Sequence, residues 1–270
     1  MKIGIFDSGM GGLIILKEIA KQLPDYDYVY LGDTARVPYG GRSPETIYLF
    51  TEQATEWLFS QGCQIIIVAC NTSSSGALRK IQQCYVPGPL ADRRILGVII
   101  PTVENIPESP QQKIGVLATE ATVNSGTYPK EIQKLLPNAN VYQQGAPLLV
   151  PLIESGQLEA AEKTALEYIR PLLAKNIGTL ILGCTHYGLL KDKLRQDLPS
   201  GITVISQEEF IPAKLQGYLA RHPELETKLT KNGKKEFFVS KITPEIEKQA
   251  KAWFGAEAIL KEVNIEGFTK

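Results

Sequence analysis

Two cysteines stand in similar surroundings that would suit acid–base chemistry. Cys70 and Cys184 each end an apolar run, and polar residues follow at 71–72 (Asn-Thr) and 185–186 (Thr-His). A thiol has a reference pKa of about 8.5, which a helix N-terminus or a neighbouring positive charge lowers. Such a thiol can accept a proton in one step and donate one in another.

The cysteines do not predict a metal site or a disulfide framework. No Cys-x-x-Cys pair occurs, and the only histidines are His186 and His222, so the spacing typical of zinc ligands is missing. The start of the chain lacks the features of a signal peptide, and structural disulfides are rare in the reducing compartment that this implies. Cys63 and Cys84 have no polar motif around them, and we interpret them as core residues.

Three further features each have a chemical and a purely structural interpretation. His186, two residues after a cysteine, is interpreted as an acid or base, although a lone histidine can also be a core residue. Asp7 follows the first apolar run and could instead cap the next helix. The run 9–12 (Gly-Met-Gly-Gly) is not a dinucleotide fingerprint, because Ile14 stands where the third glycine belongs, and a tight turn stays open for it.

The elements that must position these residues alternate between strands and helices. Runs such as 65–68 (Ile-Ile-Ile-Val) are apolar on both faces, which is typical of parallel strands covered by helices. Ser43 followed by Pro44 predicts a helix that Gly62 closes, and another is predicted over 244–255. Strands are predicted over Lys2–Phe6, Tyr28–Leu31, Gln64–Ala69, Ile95–Ile99, Lys113–Leu117, Asn140–Gln143, Thr179–Leu182, Thr203–Ile205 and Glu236–Val239. The alternation predicts an α/β fold.

Repeated segments predict two related halves. The run 2–5 (Lys-Ile-Gly-Ile) recurs at 113–116 (Lys-Ile-Gly-Val), and the segment around Cys70 recurs in type around Cys184, at offsets of 111 and 114 residues. Each cysteine ends a strand and precedes a helix, which after the second cysteine carries leucines spaced by four over 190–198. We therefore expect two pseudo-symmetric α/β domains, each with a mostly parallel sheet flanked by helices, and a cleft between them.

The carboxyl ends of parallel strands are where open α/β sheets bind ligands. Cys70 and Cys184 are predicted there, one in each half, and Asp7 and Ser8 end the first strand in the same way. If the halves face each other, the thiols approach a shared ligand from opposite sides. A racemase needs this geometry, because one base removes the α-proton from one face and an acid returns a proton to the other.

Bulk properties exclude several classes of protein. Lys plus Arg and Asp plus Glu both number 29, so the formal net charge is zero and nothing favours binding to nucleic acid or to an anionic membrane. No apolar run reaches the length of a transmembrane helix. We expect a globular cytoplasmic protein that binds a small molecule.

Motifs spread over the chain resemble those of the glutamate racemases, within the aspartate/glutamate racemase superfamily. The matching segments are Phe6–Leu13, Gly32–Gly40, Ala69–Ser74, Leu117–Val123, Val150–Glu154 and Gly183–Tyr187. They arrive in the family's order, and residues 237–255 are similar to the family's closing segment. The resemblance implies two α/β domains with the active site in the cleft between them. A first domain of residues 1–98 plus 207–270 would carry Cys70, and a second of residues 99–206 would carry Cys184.

The resemblance also implies an activity and residue roles. It implies interconversion of L-glutamate and D-glutamate without pyridoxal phosphate, metal or other cofactor, which supplies D-glutamate for peptidoglycan. The residue matching Cys70 takes the proton from D-glutamate, and the one matching Cys184 takes it from L-glutamate. Residues that would assist the thiols are Asp7, near Cys70, and Glu154 and His186, near Cys184. Substrate contacts are expected from Asp7, Ser8, Tyr39, Gly40, Asn71, Thr72, Thr119, Thr122, Thr185 and His186.

The sequence departs from the family pattern at three places. Gly188 stands where many members have proline, and Ser73 replaces a common alanine. The segment Ile205–Phe210 matches less well, and effects on helix packing or a homodimer interface are both open for it.

Two other functions also stay open, a sister racemase acting on aspartate or a hydantoin and a noncatalytic binding module. Assays on a panel of substrates would separate them.

Overall fold

Two parallel β-sheets with helices packed around them form the fold. The computed structural model describes residues 1–85, 92–107 and 112–268. The strands in these residues are β1 (Lys2–Asp7), β2 (Tyr28–Gly32), β3 (Cys63–Val68), β4 (Arg94–Gly97), β5 (Lys113–Ala118), β6 (Asn140–Gly145), β7 (Thr179–Gly183), β8 (Thr203–Ile205), β9 (Lys235–Val239) and β10 (Leu260–Glu262).

The helices lie between these strands and on both sides of the sheets. They are α1 (Gly12–Gln22), α2 (Pro44–Ser60), α3 (Asn71–Gly76), α4 (Leu78–Tyr85), α5 (Ile99–Val103), α6 (Glu120–Ser125), α7 (Thr127–Leu135), α8 (Leu149–Glu154), α9 (Leu158–Leu173), α10 (Lys191–Asp197), α11 (Ile211–Arg221), α12 (Pro223–Glu226) and α13 (Pro244–Trp253). Two short 3₁₀ helices span Thr185–Leu190 and Gln207–Glu209. In the part of the chain that the structure describes, no helix is both long enough and apolar enough to span a bilayer.

The two sheets share one strand order. The first runs β10-β9-β2-β1-β3-β4 and the second β6-β5-β7-β8, so the segment β2-β1-β3-β4 of the first sheet corresponds to the whole of the second. Gly4 of β1 pairs with strands on both sides, and Gly115 of β5 does the same. All the pairings are parallel. The prediction of two pseudo-symmetric α/β units is therefore confirmed, and β9 and β10 extend the first unit only.

Apolar burial explains why these segments form central strands. Every residue of β2, β3 and β7 is buried, as expected for parallel strands covered on both faces. Ile5 of β1 and Ile114 of β5 belong to one apolar cluster with Ile181 and Leu215, so the core continues from one unit into the other. Burying each such side chain stabilises the fold by roughly 1.5–3 kcal/mol.

The sequence predicted most elements but not all of their ends. Ser43 caps α2 as expected, since its Oγ accepts a hydrogen bond from the Thr46 N–H at 3.3 Å. The strand predicted to reach Ile99 ends at Gly97, and Ile99 begins α5 instead. The single helix predicted after Cys184 is a 3₁₀ helix followed by α10, and β10 was not predicted. The domain boundaries at residues 98/99 and 206/207 stay a prediction.

The end of β2 touches the loop that follows β1. A Cβ atom placed on Gly32 would lie 2.5 Å from the backbone oxygen of Gly9, which also accepts a hydrogen bond from Tyr30 Oη at 2.8 Å. A backbone atom held by such a bond cannot easily move aside. Gly32 therefore allows the loop after β1 to lie where it does.

We expect Gly32→Ala to destabilise the protein by about 1–3 kcal/mol, the usual cost of overpacking. Gly178→Ala is the matched control, because a Cβ there meets nothing within 4 Å. The control should change the free energy of unfolding little or raise it by about 0.4–1 kcal/mol. Urea denaturation of both variants measures the difference, and equal stabilities would contradict the close contact at Gly32.

Candidate active site

A small cavity lies where the carboxyl ends of the strands of the two sheets meet. Its volume is about 140 Å³, well above the roughly 10–15 Å³ that a cavity needs to hold one water molecule. It therefore suits a small metabolite. The lining residues are Ser8, Val37, Pro38, Tyr39, Gly40, Gly41, Cys70, Asn71, Thr72, Thr119, Glu120, Ala146, Pro147, Val150, Cys184, Thr185 and His186.

Cys70 reaches the cavity from the first unit, just after β3. It is the N-cap of α3, and its Sγ accepts a hydrogen bond from the Ser73 N–H at 3.5 Å and lies 3.2 Å from Ser8 Oγ. Burial raises the pKa of the Cys70 thiol, the negative charge of Asp7 raises it further, and the bonds to Ser8 and Ser73 oppose both effects in part. The neutral thiol is thus the favoured resting form, with groups in place that can stabilise a thiolate.

Cys184 reaches the cavity from the second unit, directly after β7. Its Sγ lies 3.8 Å from His186 Nδ1, and His186 Nε2 lies 3.0 Å from Glu154 Oε1. Burial lowers the pKa of the imidazole, but the interactions with Cys184 and Glu154 outweigh it and raise this pKa well above its ordinary value. The result is a thiol–imidazole–carboxylate chain in which a charged imidazole can stabilise negative charge on sulfur.

Asp7 joins the two units without lining the cavity. It is fully buried, accepts a hydrogen bond from the Gly9 N–H at 3.0 Å, and accepts another from Thr185 Oγ1 of the second unit at 3.2 Å. Burial raises the pKa of the Asp7 carboxyl, against the positive charge of His186 and the hydrogen bonds. The sequence placed Asp7 near Cys70; the structure also brings it to the residue next to Cys184.

The glycine run after β1 does more than turn the chain. A Cβ on Gly11 would lie 2.4 Å from Thr185 Oγ1 and 2.7 Å from His186 Nδ1, and a Cβ on Gly9 would lie 2.7 Å from Glu154 Oε1. Real Cβ atoms do not approach other atoms so closely. The glycines therefore allow this loop of the first unit to pack directly against the acid–base residues of the second.

Hydroxyl groups of both units form another side of the site. Thr72 Oγ1 lies 2.9 Å from Thr119 Oγ1, which lies 3.0 Å from Thr122 Oγ1. Thr119 and Thr72 line the cavity, whereas Thr122 is buried behind them. The structure thus brings together the predicted threonines, with Thr122 one hydroxyl away from the cavity.

The loop that contains Tyr39 lines one side of the cavity. The Tyr39 hydroxyl donates a 2.5 Å hydrogen bond to Asp33, which also accepts bonds from Arg36 and Ser240 at 2.6 Å each. That hydroxyl is therefore committed to Asp33. A Cβ on Gly40 would lie 2.7 Å from Thr119 Cβ, so this loop lies directly on the second unit.

Helix α13 supports the acid–base chain from outside, which the sequence did not predict. Gln249 donates a hydrogen bond to the backbone oxygen of Glu154. The ring of Trp253 meets the His186 ring edge-on, with centroids 5.8 Å apart. The closing-segment resemblance was the only sequence signal for these contacts.

Two of the departures from the family pattern, Gly188 and the segment 205–210, lie in contact with each other. A Cβ on Gly188 would lie 3.0 Å from Glu208 Oε2, so a proline at this position would crowd that carboxylate. Glu208 is held by Ser206 Oγ at 2.6 Å and by Lys191 Nζ at 2.8 Å. Its neighbour Gln207 bonds to Asn71 in the site, and no sequence pattern had indicated a functional role for Gln207.

Across the described residues, no three side chains among His, Cys, Asp and Glu are grouped as metal ligands would be. Comparisons with known proteins agree with the fold. Residues 11–208 match the model of the Asp/Glu/Hydantoin racemase family. The glutamate racemase of Persephonella marina is 38% identical over 268 residues, which are 98% of each chain. That of Aquifex aeolicus is 41% identical over 222 residues, 81% of this chain and 84% of the relative.

Solved structures give the same result. The crystal structure of glutamate racemase from Francisella tularensis in complex with D-glutamate superposes with a TM-score of 0.87 at 34% identity and covers 98% of each chain. Glutamate racemase from Aquifex pyrophilus superposes with a TM-score of 0.78 at 37% identity, covering 97% of this chain and 98% of that one. With fold, family model and full-length relatives in agreement, this chain belongs to the Asp/Glu/Hydantoin racemase family.

Proposed function

We propose that this protein is a glutamate racemase that interconverts L-glutamate and D-glutamate between two cysteine thiols. The observation that carries the proposal is that Cys70 and Cys184 line one small cavity from corresponding strand ends of the two units. Relatives that are 38–41% identical to this chain over the aligned residues bear that name. The product D-glutamate would enter peptidoglycan synthesis.

The proton transfers balance without a redox partner. A thiolate on one face takes the α-hydrogen as a proton, and the C–H electron pair stays on the α-carbon. The thiol on the opposite face then gives its proton to that carbon, so the configuration inverts and the two sulfurs exchange protonation states. By the family assignment, Cys70 is the base for D-glutamate and Cys184 is the base for L-glutamate.

The neighbouring charged groups assist each thiol in a different way. His186, held by Glu154 at 3.0 Å, would stabilise the Cys184 thiolate and fix the orientation of the imidazole. On the other side, the N-terminus of α3 and the Ser8 hydroxyl would stabilise the Cys70 thiolate. Asp7 does not line the cavity, so it would act on the bound substrate through Thr185, whose hydroxyl donates a hydrogen bond to it.

Neutral donors would bind the two substrate carboxylates. Among the described residues, those that line the cavity include no lysine or arginine, whereas Ser8, Asn71, Thr72 and Thr185 supply hydroxyl and amide groups. Excess positive charge would favour thiolates on both sides and hinder the return of a proton to carbon.

The cytoplasmic location and the homodimer both stay predictions, and sedimentation analysis tests the second.

A substrate panel tests the proposed activity. We expect glutamate to lose optical rotation completely in the presence of the enzyme, from either enantiomer, while aspartate and hydantoins react at least tenfold more slowly. Circular dichroism and chiral chromatography measure this directly. Faster racemisation of aspartate than of glutamate would show that the protein is an aspartate racemase. No reaction with any substrate would favour a binding module.

Replacing either thiol should stop racemisation in both directions, because each direction needs one sulfur as base and the other as acid. We expect Cys70→Ser and Cys184→Ser each to lower kcat by about 10²–10⁴-fold, the usual contribution of a general acid or base. With a glutamate analogue that carries a leaving group on the β-carbon, elimination needs only one base. Cys70→Ser should then retain elimination from the L form, and Cys184→Ser should retain it from the D form.

Cys84 provides the control for these variants. Its interpretation from the sequence as a core residue is wrong, because it is exposed on α4; it also does not line the cavity. Cys84→Ser should keep near wild-type racemisation. A Cys70→Ser variant that racemises glutamate as fast as the wild type would disprove the two-thiol mechanism.

Deuterium incorporation tests whether two separate bases act. In deuterated water, the newly formed enantiomer should carry solvent deuterium at the α-carbon, while the remaining starting enantiomer stays largely protonated early in the reaction. A single base would return part of the original proton to the product. Mass spectrometry of the separated enantiomers distinguishes the two patterns.

A further inference from the structure

Gln207 lies behind the cavity, on the far side of Asn71. It is 2% exposed and belongs to the short 3₁₀ helix after β8, 136 residues from Asn71 in the chain. The two amide groups pair with each other: Asn71 Nδ2 donates to Gln207 Oε1 at 2.8 Å, and Gln207 Nε2 donates to Asn71 Oδ1 at 2.9 Å. Gln207 itself does not line the cavity, so any effect on a ligand must pass through Asn71.

The Val98 carbonyl determines which atom of each side-chain amide, in Gln207 and in Asn71, is the nitrogen and which is the oxygen. Thr102 Oγ1 donates its single hydrogen to the Val98 carbonyl at 2.6 Å, and a carbonyl can only accept. Thr102 Oγ1 must therefore accept from Gln207, 3.1 Å away, so the nitrogen of Gln207 faces it. Gln207 Oε1 then faces Asn71, and the group opposite must be the Asn71 nitrogen.

The acceptor capacity of Asn71 is consequently filled. Its Oδ1 accepts from Gln207 Nε2 and from Tyr128 Oη at 2.8 Å, which uses both lone pairs. Its Nδ2 gives one hydrogen to Gln207, which leaves the second hydrogen for the cavity that Asn71 lines. Asn71 can thus offer a donor to a ligand and no acceptor.

We propose that Gln207 is a positioning residue that fixes Asn71 as a hydrogen-bond donor toward a substrate carboxylate. The inference rests on the proposed function for the identity of the substrate. A carboxylate oxygen can only accept, whereas an ammonium can only donate, so the fixed amide distinguishes the two ends of an amino acid. The hydrogen-bond relay from the Val98 carbonyl through Thr102 and Gln207 selects the carboxylate.

The test compares Gln207→Met with the wild type. Methionine keeps the length of the side chain but offers neither donor N–H nor amide oxygen, so Asn71 could rotate and present its oxygen. We expect KM for glutamate to rise roughly tenfold with a smaller change in kcat, in line with the loss of one hydrogen bond to a charged group. Glutarate, a dicarboxylate with no ammonium, should bind roughly tenfold more weakly in titration calorimetry.

Two further variants separate positioning from a general loss of structure. Gln64→Met also removes a buried amide, but Gln64 lies on β3 roughly 20 Å along the strand from Cys70, so glutarate affinity should not change. In an Asn71→Ala background, Gln207→Met should cause no further loss of glutarate affinity, because its effect passes through Asn71.

The outcomes for the two proposals are distinct. Three results would overturn the positioning role. They are a failure of glutarate to bind the wild type, binding of glutarate to Gln207→Met as tightly as to the wild type, and losses of affinity that add up in the double variant. Wild-type protein that shows the expected glutarate pattern but does not racemise glutamate would overturn the proposed function alone. Circular dichroism melting confirms that each variant is folded.

Discussion

The whole site depends on one close contact between the two units, where the loop after β1 meets the turn after β7. Gly9 and Gly11 leave room for Glu154, Thr185 and His186 at distances that no side chain would permit. The Thr185 hydroxyl then bonds to the buried Asp7 carboxylate. Because this contact brings two sheet edges together, a thiol from each can line a cavity of only about 140 Å³. A wider gap would admit water and separate the two sulfurs.

The two thiols have unlike surroundings although they occupy equivalent places. Cys70 lies at a helix N-terminus among hydroxyl groups, and burial keeps its pKa high. Cys184 lies beside an imidazole whose own pKa is raised by its partners. Free L- and D-glutamate have equal free energies in water, so this asymmetry must be compensated within the enzyme–substrate complexes and cannot alter the final equilibrium. Different residues around Cys70 and Cys184 can therefore serve a reaction whose two directions are equally favourable overall.

Local sequence signals were enough for nine of the ten strands in the described residues, the cap at Ser43 and the placement of both cysteines at strand ends. Repetition of short segments predicted the two units. Two units with the same strand order have similar residues in corresponding strands, so the repeat is visible in the sequence. The contact of Gln207 with Asn71 had no such signal, because 136 residues separate them and neither periodicity nor turn chemistry relates distant side chains. The hydrogen bond between the Tyr39 hydroxyl and Asp33 was also not predicted, because both residues lie in a loop where no regular period relates side chains. β10 was missed because it has only three residues, of which Leu260 is partly buried and the two charged ones are exposed, so it carries little apolar pattern.

The repeated strand order has a consequence for stereochemistry. Two units of like topology can present the same strand ends to one ligand through an approximate two-fold rotation. An axis of that kind, lying in the plane of a carbanion, carries one face of the carbanion onto the other. Rotational symmetry in the protein thus reproduces what a mirror plane would do for the substrate, although no chain of L-amino acids can contain a mirror plane. In evolutionary terms, a single unit would need to pair with its own copy to build such a site. Fusion of two copies in one chain would let each half acquire its own supporting residues, as the unlike neighbours of Cys70 and Cys184 illustrate.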